Sequence, residues 1–312
     1  MKLSIVTTLF HSEKFISEFT FRLIAAIPSE FSDFELIFVN DGSPDFSSEK
    51  VLELQQTIPQ IILIEFSRNF GHHNAIIAGL NQSQGDYTFI IDADLEEDPE
   101  SIIPLWSKII ESGYKIECCY GIQDKRKGNL NERISGTLFY KFVRLISEIS
   151  YPANTLTARI ISKRYLKSII EFRERSVDLW GLFSLNGFIQ EPVTLTKKSK
   201  GSSTYSFSKK LQMSFDIITS LTSKPLVSIF YIGLFLFLLS LLFVICVIFK
   251  YFNEDMSDAI GWASIIASVW LFGSFLILIV GIVSIYISRI YIEVKGRPKY
   301  IIKEIYLSNK QK

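Results

Sequence analysis

The sequence predicts an α/β fold with a mostly parallel sheet, followed by segments that cross a membrane. Up to about residue 113, short runs rich in β-branched and aromatic residues alternate with segments whose apolar residues recur at helical spacing. Strands that alternate with helices in this way are typical of parallel sheets. After residue 225, two long runs contain no charged residue. The sequence therefore predicts an α/β module followed by a membrane module.

Composition limits the class of protein. The chain has 312 residues, a length that allows about two modules. Hydrophobic residues make up 48% of the chain, and the mean hydropathy of +0.27 is high for a soluble enzyme. The net charge is +1, with 33 basic and 32 acidic residues, so no nucleic-acid partner is expected. The three cysteines have no metal-ligand spacing, and their odd number favours a reducing compartment.

Three strand–helix units begin the chain. The predicted strands cover 3–9, 34–39 and 61–65, and the predicted helices cover 13–27, 47–57 and 72–82. The second strand ends at Asn40-Asp41-Gly42-Ser43-Pro44, a run that predicts a sharp turn. Arg68-Asn69-Phe70-Gly71 follows the third strand, and the third helix begins with His72-His73. These histidines bind a metal, lie near a phosphate or are simply exposed, and the sequence leaves these alternatives open.

The fourth predicted strand, residues 87–94, ends in two carboxylates one residue apart. Asp92 and Asp94 precede the acidic run Glu96-Glu97-Asp98 and then Pro99. Ligands of open parallel sheets bind outside the carboxyl ends of the strands. Hard divalent cations take carboxylate oxygens together with substrate phosphates. The pair therefore predicts a Mg²⁺ or Mn²⁺ site that binds a diphosphate, and the alternative is a solvated acidic turn that caps the next helix.

The next segment joins the fourth strand to the membrane module. A helix is predicted from Pro99 to about Gly113, and a strand from Ile116 to Tyr120. Residues 123–133 are polar and basic and lead into an amphipathic helix at about 139–149. Basic residues of this loop, such as Arg126, either face phosphates or form a solvated surface.

Two uncharged runs, residues 226–249 and 263–288, are each long enough to span a bilayer as a helix. The loop between them is mostly acidic, whereas the outer flanks are basic, so both termini and the α/β module are expected in the cytoplasm. Residues 208–224 form either an interfacial amphipathic helix or a helix packed on the α/β module. The predicted organisation is an α/β domain at 1–207, this helix, a multi-pass membrane region at 225–289 in the inner membrane, and a cytoplasmic tail at 290–312.

Four features in one order give the chain a family resemblance. They are the first strand, the Asp-Gly-Ser turn at Asp41, the Arg-Asn-Phe-Gly motif at Arg68, and Asp-Ala-Asp-Leu-Glu-Glu-Asp-Pro from Asp92. The chain resembles family-2 glycosyltransferases with a GT-A fold. More narrowly, it is similar to membrane-anchored polyprenyl-phosphate glycosyltransferases, a group that includes dolichol-phosphate mannose synthases and undecaprenyl-phosphate glucosyltransferases. The resemblance covers nearly the whole chain, including the tail at 293–298.

The resemblance implies a role for individual residues. Asp94 is the expected direct metal ligand, and Asp92 is expected close to the ribose or to metal-bound water. Arg159 and Lys198 are the expected catalytic cations, which offset repulsion between two phosphate-bearing substrates. The other nucleotide-binding positions are Thr8, Phe10, Asp41, Arg68, Gly71 and Ala93. The expected acceptor side comprises Thr157, Gly181, Asn186, Lys198 and Tyr205.

The chain departs from the family where a catalytic base is expected. The family has Asp-Phe-Arg-Leu, and this chain has Thr157-Ala158-Arg159-Ile160. A sugar hydroxyl needs a general base, which contributes about 10²–10⁴-fold in rate. A monophosphate ester with a second pKa of about 6 is already largely dianionic at neutral pH. The missing Asp therefore favours a lipid phosphate acceptor, unless Asp178, Glu174 or Glu148 replaces the base.

The predicted function is that of an inverting glycosyltransferase that moves a sugar from a nucleotide-sugar to polyprenyl phosphate, for use in surface polysaccharide. One alternative is transfer to a hydroxyl of a lipid-linked saccharide, and another is a catalytically weak membrane protein that binds nucleotide-sugar. A processive synthase is disfavoured because no Gln-x-x-Arg-Trp motif follows the Asp-x-Asp domain. The resemblance also implies a homo-oligomer, with a tetramer as one stoichiometry. The residues do not identify the nucleotide or the sugar.

Overall fold

The computed structural model describes residues 1–123, 154–172, 179–197 and 261–307, together with isolated positions between 229 and 242. The chain divides into two compact units. The first is an α/β unit that includes the N-terminus and residues 297–307. The second contains the long C-terminal helix. Each unit is described by itself.

The α/β unit contains eight strands. They are β1 (Lys2–Leu9), β2 (Asp33–Asn40), β3 (Ile61–Phe66), β4 (Tyr87–Ile90), β5 (Cys118–Gln123), β6 (Thr155–Ser162), β7 (Gln190–Leu195) and β8 (Ile302–Tyr306). The helices of this unit are α1 (Ile16–Ala26), α2 (Ser47–Thr57), α3 (His72–Gln82), α4 (Ile102–Glu111), α5 (Lys163–Glu171) and α6 (Leu179–Leu185). A short 3₁₀ turn at Pro99–Ser101 precedes α4. The predicted α/β class and the first three strand–helix units are confirmed.

The strands form one sheet in the order β7-β5-β6-β4-β1-β2-β3-β8. Its centre, β4-β1-β2-β3, is parallel. β6 runs antiparallel between β4 and β5, and β8 runs antiparallel at the far edge, against β3. The carboxyl ends of the four central strands therefore lie along one edge, where ligands of such sheets bind.

Apolar side chains cover both faces of the sheet. One hydrophobic cluster joins the sheet to α1, α2 and α4, with Phe19, Leu54 and Trp106 among its buried members. The other joins it to α3, α5 and α6, with Ile76 and Tyr165 among its members. Strands in the centre of the sheet are buried on both faces, which explains their continuous apolar sequences.

Three strands differ from the sequence-based expectation. Residues 302–306, expected in a cytoplasmic tail, form β8 and pair with β3. Residues 155–162 and 190–195, for which no strand is predicted, form β6 and β7. The pairings of β8 with β3, of β6 with β4 and of β7 with β5 join segments that are distant in sequence, so local periodicity does not reveal them. The fourth strand also ends at Ile90 rather than at Asp94, and residues 91–98 form a loop.

The second unit contains α7, a helix from Gly261 to Lys295, which includes the predicted span at 263–288. Within the described part of the chain, no helix has the length and apolar character needed to cross a bilayer. The predicted interfacial helix at 208–224 lies outside the described residues, as does nearly all of the predicted span at 226–249. The basic loop after Gln123 and the amphipathic helix at 139–149 also lie outside them.

Candidate active site

Asp41 joins two loops at the carboxyl edge of the sheet. Its carboxylate accepts hydrogen bonds from the backbone N–H of Phe70 at 2.7 Å and of Gly71 at 3.0 Å. The side chain is buried, and this burial raises the pKa of Asp41, whereas the two backbone hydrogen bonds oppose the rise. The role that the structure shows for Asp41 is to hold the Arg-Asn-Phe-Gly turn in place. The contact with the nucleoside stays a prediction.

The glycines of these loops have backbone conformations that other residues rarely adopt. Gly42 has φ +65°, and a Cβ added there would lie 2.5 Å from the backbone nitrogen of Asn69. Gly71 has φ +96° and precedes α3 as its N-cap residue. The Asp-Gly-Ser turn and the Arg-Asn-Phe-Gly turn therefore form a single structural joint.

Aromatic residues support the Arg-Asn-Phe-Gly turn from beneath. The guanidinium carbon of Arg68 lies 4.1 Å from the centre of the Phe70 ring, and Arg68 is exposed. Phe70 packs edge-on against Phe66, and Phe66 stacks on Tyr300 with ring centres 5.0 Å apart. Asn81 of α3 donates to the Tyr300 hydroxyl at 3.1 Å. The chain after α7 thus contributes to the support of the predicted nucleotide site.

The end of β1 lies next to the Asp-Gly-Ser turn. Phe10 is 50% exposed, and its contact with a nucleotide stays a prediction. His11 follows with φ +56°, and its backbone N–H donates to the Ser43 hydroxyl at 2.8 Å. This contact ties the end of β1 to the Asp-Gly-Ser turn.

The Asp-x-Asp loop turns sharply after Asp94. Leu95 adopts φ +58°, in the left-handed region that non-glycine residues rarely occupy. This turn brings the backbone N–H of Glu96 to 3.0 Å from Asp94 Oδ1. Ala93, between the two carboxylates, is buried in the core beneath the sheet edge. Any contact of Ala93 with a nucleotide therefore has to involve its backbone.

Asp92 lies at the centre of a polar network. The Thr157 hydroxyl donates to Asp92 Oδ2 at 2.8 Å, and His72 Nε2 lies 3.6 Å from Asp92 Oδ1. The other ring nitrogen of His72 is 3.0 Å from the Thr8 hydroxyl. β1, the Asp-x-Asp loop, α3 and β6 therefore meet at this carboxylate.

Glu97 links the Asp-x-Asp loop to β6. Its carboxylate accepts the backbone N–H of Thr157 at 3.0 Å and of Ala158 at 2.7 Å. Burial, with a smaller contribution from the charge of Asp92, raises the pKa of Glu97 to about 7 against the opposing effect of these hydrogen bonds. Lys197 lies 3.9 Å from Glu97 and 3.1 Å from Glu96, and its backbone pairs with Glu97 in an isolated bridge.

Arg159 is enclosed by aromatic rings. Its guanidinium carbon lies 4.2 Å from the ring centre of Trp180 and 3.9 Å from that of Phe183, and only 2% of the residue is exposed. Its nitrogens donate to the backbone oxygens of Leu156 and Thr157. The structure shows a packing role for Arg159, and the predicted role toward substrate phosphates stays a prediction.

The expected acceptor side lies partly within α6. Gly181 is buried in this helix, and the amide oxygen of Asn186 accepts a 2.7 Å hydrogen bond from Ser168 of α5. His73, next to His72, accepts a 3.4 Å hydrogen bond from the Leu179 backbone and packs edge-on against Trp180. Of the predicted acceptor residues, Lys198 and Tyr205 lie outside the described residues, as do the alternative bases Asp178, Glu174 and Glu148.

The carboxylates fit a metal bound together with a diphosphate. Within the described ranges, no group of three ligating side chains forms a cage. Asp92 and Asp94 are both partly exposed at the carboxyl edge of the sheet, and they offer hard oxygen donors. Mg²⁺ commonly binds through one or two carboxylates and completes its shell with water and substrate phosphates. The fit therefore supports a cation that binds with the nucleotide.

Three residues of this network were missed or left undecided by sequence reasoning. From the sequence alone, Glu97 is one member of an acidic run, the predicted cation is Lys198 and not Lys197, and His72 has three open interpretations. The acidic run gives a signal for Glu97, but only its burial and its hydrogen bonds to the backbone of β6 show that the carboxylate points inward. No sequence signal distinguishes Lys197 from its neighbours.

The sheet, with paired carboxylates beyond its central strands, defines a GT-A enzyme. Residues 4–170 match the family model described as glycosyl transferase family 2. The chain belongs to this family and is a glycosyltransferase.

Three relatives are similar over nearly their whole length. An uncharacterized glycosyltransferase of Bacillus subtilis, YkcC, is 34% identical over 99% of this chain and 95% of its own. A prophage-derived bactoprenol glucosyl transferase of Shigella flexneri is 30% identical over 99% of this chain and 100% of its own. An undecaprenyl-phosphate 4-deoxy-4-formamido-L-arabinose transferase of Photorhabdus laumondii is 28% identical over 99% and 95%. These matches confirm the resemblance to polyprenyl-phosphate glycosyltransferases.

One solved structure shows the same fold. The crystal structure of a mycobacterial protein aligns with a TM-score of 0.50 and 16% identity, over 72% of this chain and 74% of that one. At this identity the likeness concerns the fold alone.

Proposed function

We propose that this protein is an inverting glycosyltransferase that moves a sugar from a nucleotide-sugar to polyprenyl phosphate at a membrane surface. The main support is the Asp92–Asp94 pair at the carboxyl edge of the sheet, in a network that fits a metal-bound diphosphate. The names of the full-length relatives give bactoprenol or undecaprenyl phosphate as the lipid, which supports the acceptor class.

The residues at the sheet edge suit the donor. Asp41 and Gly71 hold the turn before α3, and Phe10 and Arg68, which follow β1 and β3, are exposed. Asp94 and Asp92 would hold Mg²⁺ or Mn²⁺, which supplies positive charge to the leaving diphosphate. An acceptor oxygen forms a bond to the anomeric carbon from the opposite face. The bond to the diphosphate oxygen breaks, and the nucleoside diphosphate leaves with the electron pair, so the anomeric centre is inverted.

The residues around Asp92 favour a phosphate acceptor over a hydroxyl acceptor. Thr157 stands where the family has its carboxylate. Its hydroxyl donates a hydrogen bond to Asp92, and it cannot act as a general base. Glu97 is the next carboxylate, but it is buried and both of its oxygens accept backbone hydrogen bonds. A phosphate dianion needs no base, because its proton is already lost at neutral pH.

The sequence supports a membrane location for this reaction. The two uncharged runs at 226–249 and 263–288, with basic outer flanks, favour a multi-pass inner-membrane protein. The catalytic unit and both termini would then face the cytoplasm, where nucleotide-sugars are made. The lipid-linked product would serve surface polysaccharide. Homo-oligomerisation stays a prediction.

The test is transfer of radiolabel from a panel of UDP-, dTDP- and GDP-sugars to undecaprenyl phosphate, with the full-length chain in detergent. We expect a lipid-soluble product that requires Mg²⁺ or Mn²⁺. Asp94→Asn keeps the shape of the side chain but removes its charge. It should lower the rate by about 100-fold or more, because the metal stabilises charge in the transition state by several kcal/mol.

The matched control is Asp86→Asn, at the amino end of β4, where the carboxylate accepts the backbone N–H of Lys2. This variant should keep the wild-type rate. The proposed acceptor is wrong if every donor leaves undecaprenyl phosphate unlabelled while a hydroxyl-bearing lipid-linked saccharide becomes labelled. If no acceptor is labelled although nucleotide-sugar binds, the proposal of catalysis itself fails.

A further inference from the structure

The pairing of β4 with β6 places Thr157 beside Asp92. The register pairs Tyr87 with Ser162 and Ile90 with Arg159. Continuing this antiparallel register by two residues sets Asp92 opposite Thr157, although the ladder itself ends at Ile90. Backbone pairing between the two strands stops at Ile90. Beyond that point, the 2.8 Å hydrogen bond between the side chains of Thr157 and Asp92 continues the contact between the two segments.

Thr157 is itself fixed in position. Its backbone N–H donates to Glu97, a residue that is 2% exposed and that also accepts the N–H of Ala158. Thr157 is 8% exposed, and its β-branched side chain has few rotamers in a strand. Because its backbone and its rotamer are both fixed, Thr157 directs its hydroxyl proton toward Asp92.

Asp92 has no comparable constraint from its own backbone. It lies in the loop that leaves the sheet, and its side chain is 28% exposed. A carboxylate in such a loop would otherwise occupy several rotamers. With Oδ2 bound to Thr157, Oδ1 is directed toward His72 and the open edge of the sheet.

We infer that Thr157 is a positioning residue, whose hydroxyl fixes the carboxylate of Asp92 in the orientation that binds the metal and the nucleotide diphosphate. The inference rests on the proposed function for the role of Asp92. The hydrogen-bonding partners of metal-site carboxylates typically affect metal affinity or activity by about 10–100-fold. Thr157 would therefore assist the donor side of the reaction, and not accept a proton from the acceptor.

The test compares Thr157→Val with Thr157→Ser in the full-length chain. Valine keeps the shape of threonine and lacks the hydroxyl, whereas serine keeps the hydroxyl. Mn²⁺ binding is measured by loss of the free-ion electron paramagnetic resonance signal in the presence of UDP, dTDP or GDP, against the same solution without protein, so this readout does not depend on the acceptor. We expect Thr157→Val to weaken Mn²⁺ binding by about 10-fold or more, and Thr157→Ser to remain within about threefold of wild type.

A double-mutant cycle shows whether Thr157 acts through Asp92. In an Asp92→Ala background, which leaves the Thr157 hydroxyl no side-chain acceptor at position 92, Thr157→Val should cause no further loss of Mn²⁺ binding. The inference is overturned if Thr157→Val binds Mn²⁺ like wild type, or if valine and serine weaken binding equally. A normal Mn²⁺ pattern without any lipid product would contradict the proposed function and leave the positioning role in place.

Discussion

Gly42 lies where the two loops beneath the predicted nucleotide site meet. Its backbone has φ +65°, and the nearest atoms to an added Cβ are the backbone of Arg68 and Asn69, at 2.5–3.0 Å. Backbone atoms at this distance cannot rotate away as a long side chain can. The position therefore needs glycine for two separate reasons, its conformation and its close contact.

A comparison of Gly42→Ala with Gly113→Ala separates the cost of the backbone conformation from the cost of the close contact. Gly113 has nearly the same φ, +66°, but no atom lies within 4 Å of its added Cβ. Gly113→Ala should cost about 1–2 kcal/mol from the left-handed conformation alone. Gly42→Ala should cost about 1–3 kcal/mol more, because the Arg-Asn-Phe-Gly turn has to move. Urea denaturation of the full-length chain, followed by tryptophan fluorescence, measures both, and equal costs would contradict the joint described here.

The Asp-x-Asp loop is an element whose stability depends on one buried carboxylate. Glu97 holds this loop to β6 through two backbone hydrogen bonds, and burial raises its pKa from 4.5 to about 7. Between these two pH values the folded chain holds a proton at Glu97 that the unfolded chain has lost. The contribution of this proton to stability is therefore complete below pH 4.5 and is lost as the pH rises through about 7.

We expect the free energy of unfolding of the metal-free chain to fall as the pH rises from 5 to 7, at up to about 1.4 kcal/mol per pH unit from this group. Glu97→Gln should remove this slope, although it also lowers stability at every pH because an amide cannot accept both backbone hydrogen bonds. Glu111→Gln, at the exposed end of α4, is the control and should keep the slope. A Glu97→Gln variant with the wild-type slope would contradict the assignment. Denaturation in the presence of EDTA at several pH values gives the measurement.

Local elements were predictable from sequence, and distant pairings were not. α2 and α3 begin and end at the predicted residues, because helical periodicity and turn-forming neighbours are local signals. β6 and β8 pair with strands far away in the chain, so nothing near them in sequence specifies their partners. The same limit applies to the site. Asp92 and Asp94 were recognised from their spacing, whereas the Thr157–Asp92 and Glu97–Thr157 contacts require the β4–β6 register.

For the molecule as a whole, the distribution of charge predicts its orientation in the membrane. The segment between the two uncharged runs contains Glu254, Asp255 and Asp258, and the basic residues lie mainly on the outer flanks. Because positively charged loops stay in the cytoplasm, this segment should face outward and the chain after α7 should face inward. The pairing of β8 with β3 places residues 302–306 in the same sheet as the catalytic loops, so both have to lie on the same side of a membrane.

The native cysteines make this orientation measurable. Cys118 and Cys119 are buried, and burial raises the pKa of Cys118 to about 11 and that of Cys119 to about 12. Because the thiolate is the reactive form, both should resist maleimide at neutral pH. Cys246 lies within the first uncharged run. The unaltered chain should therefore give little background labelling.

Single cysteines introduced on either side of the membrane then report its topology. In intact expressing cells, Ser257→Cys should react with a membrane-impermeant maleimide, because it lies in the segment predicted to face outward. Ser308→Cys, beyond β8, should react only after the cells are opened. Labelling of Ser308→Cys in intact cells would place the catalytic unit outside, away from cytoplasmic nucleotide-sugars, and would contradict the proposed function as well as the topology. If both variants are labelled equally and only after lysis, the segment at 257 does not reach the outside of the cell. The chain would then not span the membrane, and the reaction would have to take place at the cytoplasmic surface of the membrane.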